Sequence, residues 1–172
     1  MSTSLRPMLP TDLEARLNEQ MRKEFASAHL YLQMAGHFEA SGFPGFSAWM
    51  RAQAAEEQVH AMRFFDFILD RGGSVALGSL EAPPSTFGSP LEVFEASLAH
   101  ERMITSSIDG LYEGADRATS AFLDWFATEQ VEEEATVSQI VESLKLAGDS
   151  GPALLIMDRD LGGRSRQPDD ER

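Results

Sequence analysis

The sequence predicts an all-α fold: a bundle of four long helices with one long crossover, then a short fifth helix near the C-terminus. Three observations carry this. Apolar residues recur at helical spacing through four stretches of roughly 25–30 residues each. Short breaks separate the first stretch from the second and the third from the fourth, so each pair reads as an antiparallel hairpin. A connection of about 20 residues joins the second stretch to the third, long enough to run the length of a bundle and leave those two helices parallel.

The first helix is expected to open at Thr11, read as its N-cap, with Glu14 completing a capping box. It runs to about Ala40 and stops at Ser41-Gly42-Phe43-Pro44. The second runs from about Gly45 to Asp70 and ends at Arg71-Gly72-Gly73. Gly72 to Pro90 is rich in Gly, Pro and Ser and lacks periodicity, so it reads as the crossover. The third helix begins near Pro90, a residue suited to a first turn, and reaches about Glu113. After Gly114-Ala115-Asp116-Arg117 the fourth extends from about Ala118 to Ala147. Gly148-Asp149-Ser150-Gly151 ends it, and Pro152 to Leu161 forms the short fifth helix. The division is thus an N-terminal segment (1–10), one domain (11–162) and a flexible C-terminal tail (163–172).

Composition narrows the functional classes. Apolar residues make up 42% and charged residues 24%, values of an ordinary globular chain. There is no cysteine, which excludes disulfides and thiolate metal sites and suits a reducing cytoplasm. The N-terminal residues lack the pattern of a signal peptide. The longest aliphatic run, Ala153 to Met157, is too short to span a membrane. A net charge of −14 argues against a nucleic-acid partner and is compatible with attracting cations.

The informative residues are glutamates in the wrong place. Successive helical residues turn by about 100°. On that wheel Glu24 lies in the middle of the stripe formed by Leu13, Leu17, Ala28, Tyr31, Ala35 and Phe38. Glu57 lies among Phe46, Met50, Ala61, Phe64 and Ile68. Glu101 lies among Phe94, Thr105, Ile108 and Tyr112, and Glu133 among Phe122, Phe126, Val137, Ile140 and Leu144. Each long helix therefore aims one carboxylate at the core. They also meet at one level: Glu24 and Glu57 are centred on the first hairpin turn, and Glu101 and Glu133 on the second.

Four clustered carboxylates cannot all stay ionised in an apolar interior without partners. No Lys or Arg shares these stripes, so multivalent cations are the natural partners. His60, one turn after Glu57, adds an imidazole to the same face. Mixed carboxylate and imidazole ligands with open positions suit iron, with manganese and zinc as competitors. Tyr31 shares the face of Glu24 and needs a hydrogen-bond partner, most naturally a glutamate. His29, His37 and His100 fall off the stripes and read as surface residues.

At these residues the sequence resembles the ferritin family, and most closely the non-haem bacterial ferritins, over roughly residues 12–162. The matching pieces are KEFASAHLY with Glu24 and Tyr31, AEEQVHAM with Glu56, Glu57 and His60, AHER with Glu101, and WFATEQVEEEA at 125–135. The resemblance implies a ferritin-like bundle and a ferroxidase with a di-iron centre. Its first iron site is Glu24, Glu57 and His60, and its second is Glu57, Glu101 and Glu133, with Glu57 bridging and Gln130 beside them. A third iron site is implied at Glu56, Glu129, Glu132 and Glu133. Tyr31 and Trp125 match aromatic positions near the centre.

The resemblance further implies a homo-oligomeric 24-subunit shell that oxidises Fe(II) with dioxygen or hydrogen peroxide and stores ferric mineral. The fifth helix resembles the one that lines the fourfold axis of such shells. Haem-binding relatives carry a methionine directly after the second-helix glutamate. That position here is Gln58, so no haem is expected. Two other readings are a 12-subunit DNA-protecting shell protein and a non-storage di-iron oxidase or peroxidase. Four ligand helices in one chain and no basic tail argue against the first; the fifth helix argues against the second.

Overall fold

The computed structural model describes residues 9–164. It contains five helices: α1 (Thr11–Ala40), α2 (Pro44–Asp70), α3 (Pro90–Leu111), α4 (Arg117–Ala147) and α5 (Gly151–Arg164). The remainder of the N-terminal segment and of the expected C-terminal tail lie outside the described residues.

Local chemistry sets the helix ends, and it differs from expectation at the first. Thr11 is not the N-cap of α1: Pro10 is, and no side chain caps that end. The Pro10 carbonyl accepts the Glu14 amide at 2.8 Å and so already starts the helical ladder. The capping box occurs on α3 instead, where Ser89 and Glu92 bond each other's backbone amides. Asp116 caps α4 by accepting the Thr119 amide at 2.9 Å. Helix α3 stops at Leu111, two residues short of the expected end, and α5 continues past Leu161 to Arg164. Gly42 (φ 82°) and Gly114 (φ 76°) supply the left-handed residue in the two hairpin turns.

Side-chain contacts give the helix directions. Along α1 and α3, Arg16 reaches Gly110, Ser27 meets His100, and Tyr31 meets Ser97 and Glu101. Rising numbers on one helix meet falling numbers on the other, so the pair is antiparallel. Along α2 and α4, Gln53 meets Glu133, His60 meets Phe126, and Arg71 meets Asp116, again antiparallel. With both hairpins antiparallel as well, α2 and α3 run parallel, as the long crossover requires. That crossover follows the flank of α1. Asn18 holds Ser74 and Ala76, the Arg22 guanidinium reaches the Ser79 carbonyl, and His37 meets the Gly88 carbonyl.

The core is in two halves. One is built from Tyr31, Phe38, Phe46, Phe94 and Leu144 with their neighbours. The other is built from Leu17, Met21, Phe64, Ile108 and Phe126 with theirs. In the first half the rings of Phe38, Phe46 and Phe94 lie 5.2–5.7 Å apart. Burying one such ring stabilises by about 1.5–3 kcal/mol. Between the halves, at the level of Glu24 and Glu57, the interior is polar.

Candidate metal centre

Glu24, Glu57, Glu101 and Glu133 are all buried, 7% exposed at most. Each sits where its helix passes from one apolar half to the other: Glu24 after Met21, Glu57 after Ala54, Glu101 after Leu98, Glu133 before Val137. The stripe positions force this placement, since the flanking apolar residues must enter the core on either side.

One ligand atom from each of Glu24, Glu57 and His60 lies within 4.8 Å of the other two. This is the one such cluster of three or more among the described residues. His60 Nδ1 stands 3.3 Å from Glu57 Oε2. The rings of Trp125 and Phe126 meet the imidazole edge-on at 5.4 and 5.9 Å and hold its plane. Oε2 of Glu24 and Oε2 of Glu57 are buried and accept no hydrogen bond. Two orphaned carboxylate oxygens beside an imidazole fit the demand of a cation for oxygen and nitrogen ligands.

The other two carboxylates are held by neutral donors. The Tyr31 hydroxyl donates to Glu101 Oε1, and Gln130 Nε2 donates to Glu101 Oε2 at 3.2 Å. The glutamate partner of Tyr31 therefore comes from the opposing helix. Gln130 also reaches the Thr105 hydroxyl at 3.2 Å. Gln53 Nε2 donates to Glu133 Oε2 at 2.9 Å. On α1, Gln20 Nε2 donates to Glu24 Oε1 at 2.8 Å. Three of the four carboxylates thus accept from a buried glutamine. Only Gln130 among these was visible in the sequence. Gln20 precedes Glu24 by one helical turn, a spacing that could have flagged it.

The electrostatics follow from burial. Loss of water pushes the carboxyls of Glu24 and Glu57 well above the usual range, and repulsion between neighbouring carboxylates adds to it. Glu101 is raised by burial, against the pull of its Tyr31 and Gln130 hydrogen bonds. Glu133 is pushed up to about 8, by burial first and then by Glu101 and Glu56. Burial also drives the Tyr31 phenol well above its normal value.

The residues expected at a third site lie outward of this layer. Glu56 and Glu129 are half-buried, Glu132 is exposed, and they do not gather into a second cluster among the described residues. His100 corrects its expectation. It is half-buried rather than on the open surface: its Nε2 lies 2.7 Å from Ser27 Oγ, and burial lowers its pKa to about 4. The wheel placed it off the α3 stripe but could not show that α1 covers that flank. His29 is exposed as expected, and His37 is half-buried against Phe38 and Phe87.

Residues 14–147 match the family model described as a ferritin-like domain. The chain is 42% identical over 161 residues to a bacterial non-heme ferritin of Bacteroides fragilis, covering 91% of this chain and 100% of the relative. It is 40% identical over 162 residues to one from Staphylococcus epidermidis, covering 92% and 98%. Among solved structures it resembles an open-pore ferritin from the archaeon Archaeoglobus fulgidus, with TM-score 0.89 and 45% identity over 93% of this chain and 99% of the other. A buried carboxylate–imidazole layer inside this bundle, with these relatives over nearly the full length, shows that the chain belongs to the ferritin family and is of the bacterial non-haem kind.

Proposed function

We propose that this protein stores iron, oxidising Fe(II) at adjacent metal positions between its own four helices. One observation carries the reading: Glu24 and Glu57 each keep a buried carboxylate oxygen that accepts no hydrogen bond, and both residues cluster with His60. In this reading Fe(II) is the substrate. Glu24, Glu57 and His60 hold the first ion, and Glu57, Glu101 and Glu133 the second, with Glu57 shared. Gln130 and Tyr31 keep Glu101 aimed at the second position. Glu56, Glu129 and Glu132, with Glu133, receive ferric ions on their way out.

Each Fe(II) gives up one electron. Two electrons and two protons convert dioxygen to hydrogen peroxide, or hydrogen peroxide to water. Protons are at hand, because the carboxyls that carry them in the metal-free site must lose them to become ligands. Ferric product is stored inside a 24-subunit shell of identical chains. A cytoplasmic location fits a cysteine-free chain.

The test is aerobic addition of Fe(II) with ferric absorbance followed in time. Glu57→Ala combined with His60→Ala is expected to slow oxidation by at least about ten-fold. Oxidation as fast as in the parent would remove the site assignment.

A further inference from the structure

The support of Glu24 reaches the surface through a chain of hydrogen bonds whose direction is fixed. Lys23 Nζ donates to Ser107 Oγ at 2.6 Å. Ser107 Oγ donates to Gln20 Oε1 at 2.6 Å. Gln20 Nε2 donates to Glu24 Oε1 at 2.8 Å. An ammonium can only donate, so it takes a lone pair of the Ser107 hydroxyl and leaves that hydroxyl's proton to point onward. The Gln20 amide must then turn its oxygen to Ser107 and its NH₂ to Glu24. With its oxygen taken by the Ser107 hydroxyl, the amide has only its NH₂ left for Glu24.

We propose that Lys23, Ser107 and Gln20 are positioning residues that pin Glu24 by Oε1 and so leave Oε2 as the single oxygen offered to a metal ion. The chain joins α1 to α3 and ends at a half-buried ammonium, so the orientation of a buried ligand is set from the bundle's outer groove. Glu24 Oε2 is the orphaned atom, and Oε1 is the satisfied one. Without the Gln20 amide, Glu24 would be free to rotate, or to present both oxygens and crowd the shared position of Glu57. The proposal rests on Glu24 being a metal ligand, and the experiment separates the two ideas.

The probe is Co(II), titrated anaerobically into metal-free protein and followed by its visible absorption, which reports ligand geometry. Gln20→Met keeps length and burial but removes the donor. It is expected to weaken the first Co(II) equivalent by ten-fold or more, the usual cost of losing a partner that orients a ligand, and to change the band shape. Ser107→Ala is expected to shift both in the same direction by less, while Ser107→Thr, which keeps the hydroxyl, restores them. Parent-like affinity and spectrum in Gln20→Met and Ser107→Ala would overturn the proposal. So would equal losses in Ser107→Ala and Ser107→Thr, which would mark the chain as a brace between helices only. If Glu57→Ala with His60→Ala bound Co(II) like the parent, the metal centre itself would be wrong, a result independent of Gln20.

Discussion

At the scale of single residues, protons and metal ions would compete for the same atoms in the proposed centre. Glu24, Glu57, Glu101 and Glu133 all have a higher pKa folded than unfolded. The folded, metal-free protein therefore binds more protons than the unfolded chain. The stability this contributes is full below about pH 4.3, the ordinary glutamate value. It fades as pH rises through the folded values, about 8 for Glu133. Metal-free protein is expected to melt at a lower temperature at pH 9 than at pH 7, and bound divalent metal should reduce or reverse that difference. His100, already neutral at both pH values, does not disturb the comparison. Calorimetry in two buffers of different ionisation enthalpy should show more protons released per metal ion at pH 7 than at pH 9.

The burial of Glu24, Glu57, Glu101 and Glu133 was legible in the sequence because helical phase alone puts them inside. Apart from Tyr31 and Gln130, their partners were not. Gln53 meets Glu133 and Ser107 meets Gln20 across helix pairs far apart in the chain. A helical wheel reports which side a residue faces, and says nothing of what faces it. His100 was misread for the same reason.

At the scale of elements, the docking of α5 is the most tightly constrained contact. Asp158 is buried on α5 and accepts the Phe46 amide at 2.7 Å, capping the first turn of α2 from outside. The backbones approach so closely that a Cβ on Gly45 would lie 1.7 Å from the Asp158 carbonyl oxygen. Gly45→Ala is expected to displace α5, lowering the melting temperature and exposing α5 itself to limited proteolysis. Gly36, in α1, has open space around its missing Cβ. Gly36→Ala should stabilise by roughly 0.5–1 kcal/mol, measured by denaturant unfolding. The sequence marked a fifth helix from its apolar run, but a glycine at the start of α2 gave no sign of what needed the room. The crossover was readable as a long connection; its route along α1 depends on Asn18, Arg22 and His37, polar residues that look like ordinary surface.

At the scale of the whole molecule, the acidic balance and the exposed apolar residues bear on assembly. Leu146, Leu77 and Val131 are exposed on the single chain, up to 91% for Leu146. No helix among the described residues is long and apolar enough to cross a membrane. In the proposed shell, twenty-four chains of 18.9 kDa make a particle of about 450 kDa. Light scattering on a sizing column should return that mass; half of it would favour a 12-subunit assembly. With a net charge of −14 per chain, Fe(II) uptake should slow as ionic strength rises.

The divided core has a consequence for how the bundle comes apart. An uninterrupted apolar interior melts as one unit, because every layer supports the next. Here a polar slab with orphaned oxygens lies between two oily halves, and in the metal-free protein that slab is expected to be the first place to open. Amide exchange of the metal-free protein is expected to fall into two groups, each half opening with its own free energy. A cation gripped by residues from several helices would rivet the halves together and draw the two groups into one. The same ions the protein collects would then decide whether each subunit behaves as two folding units or one.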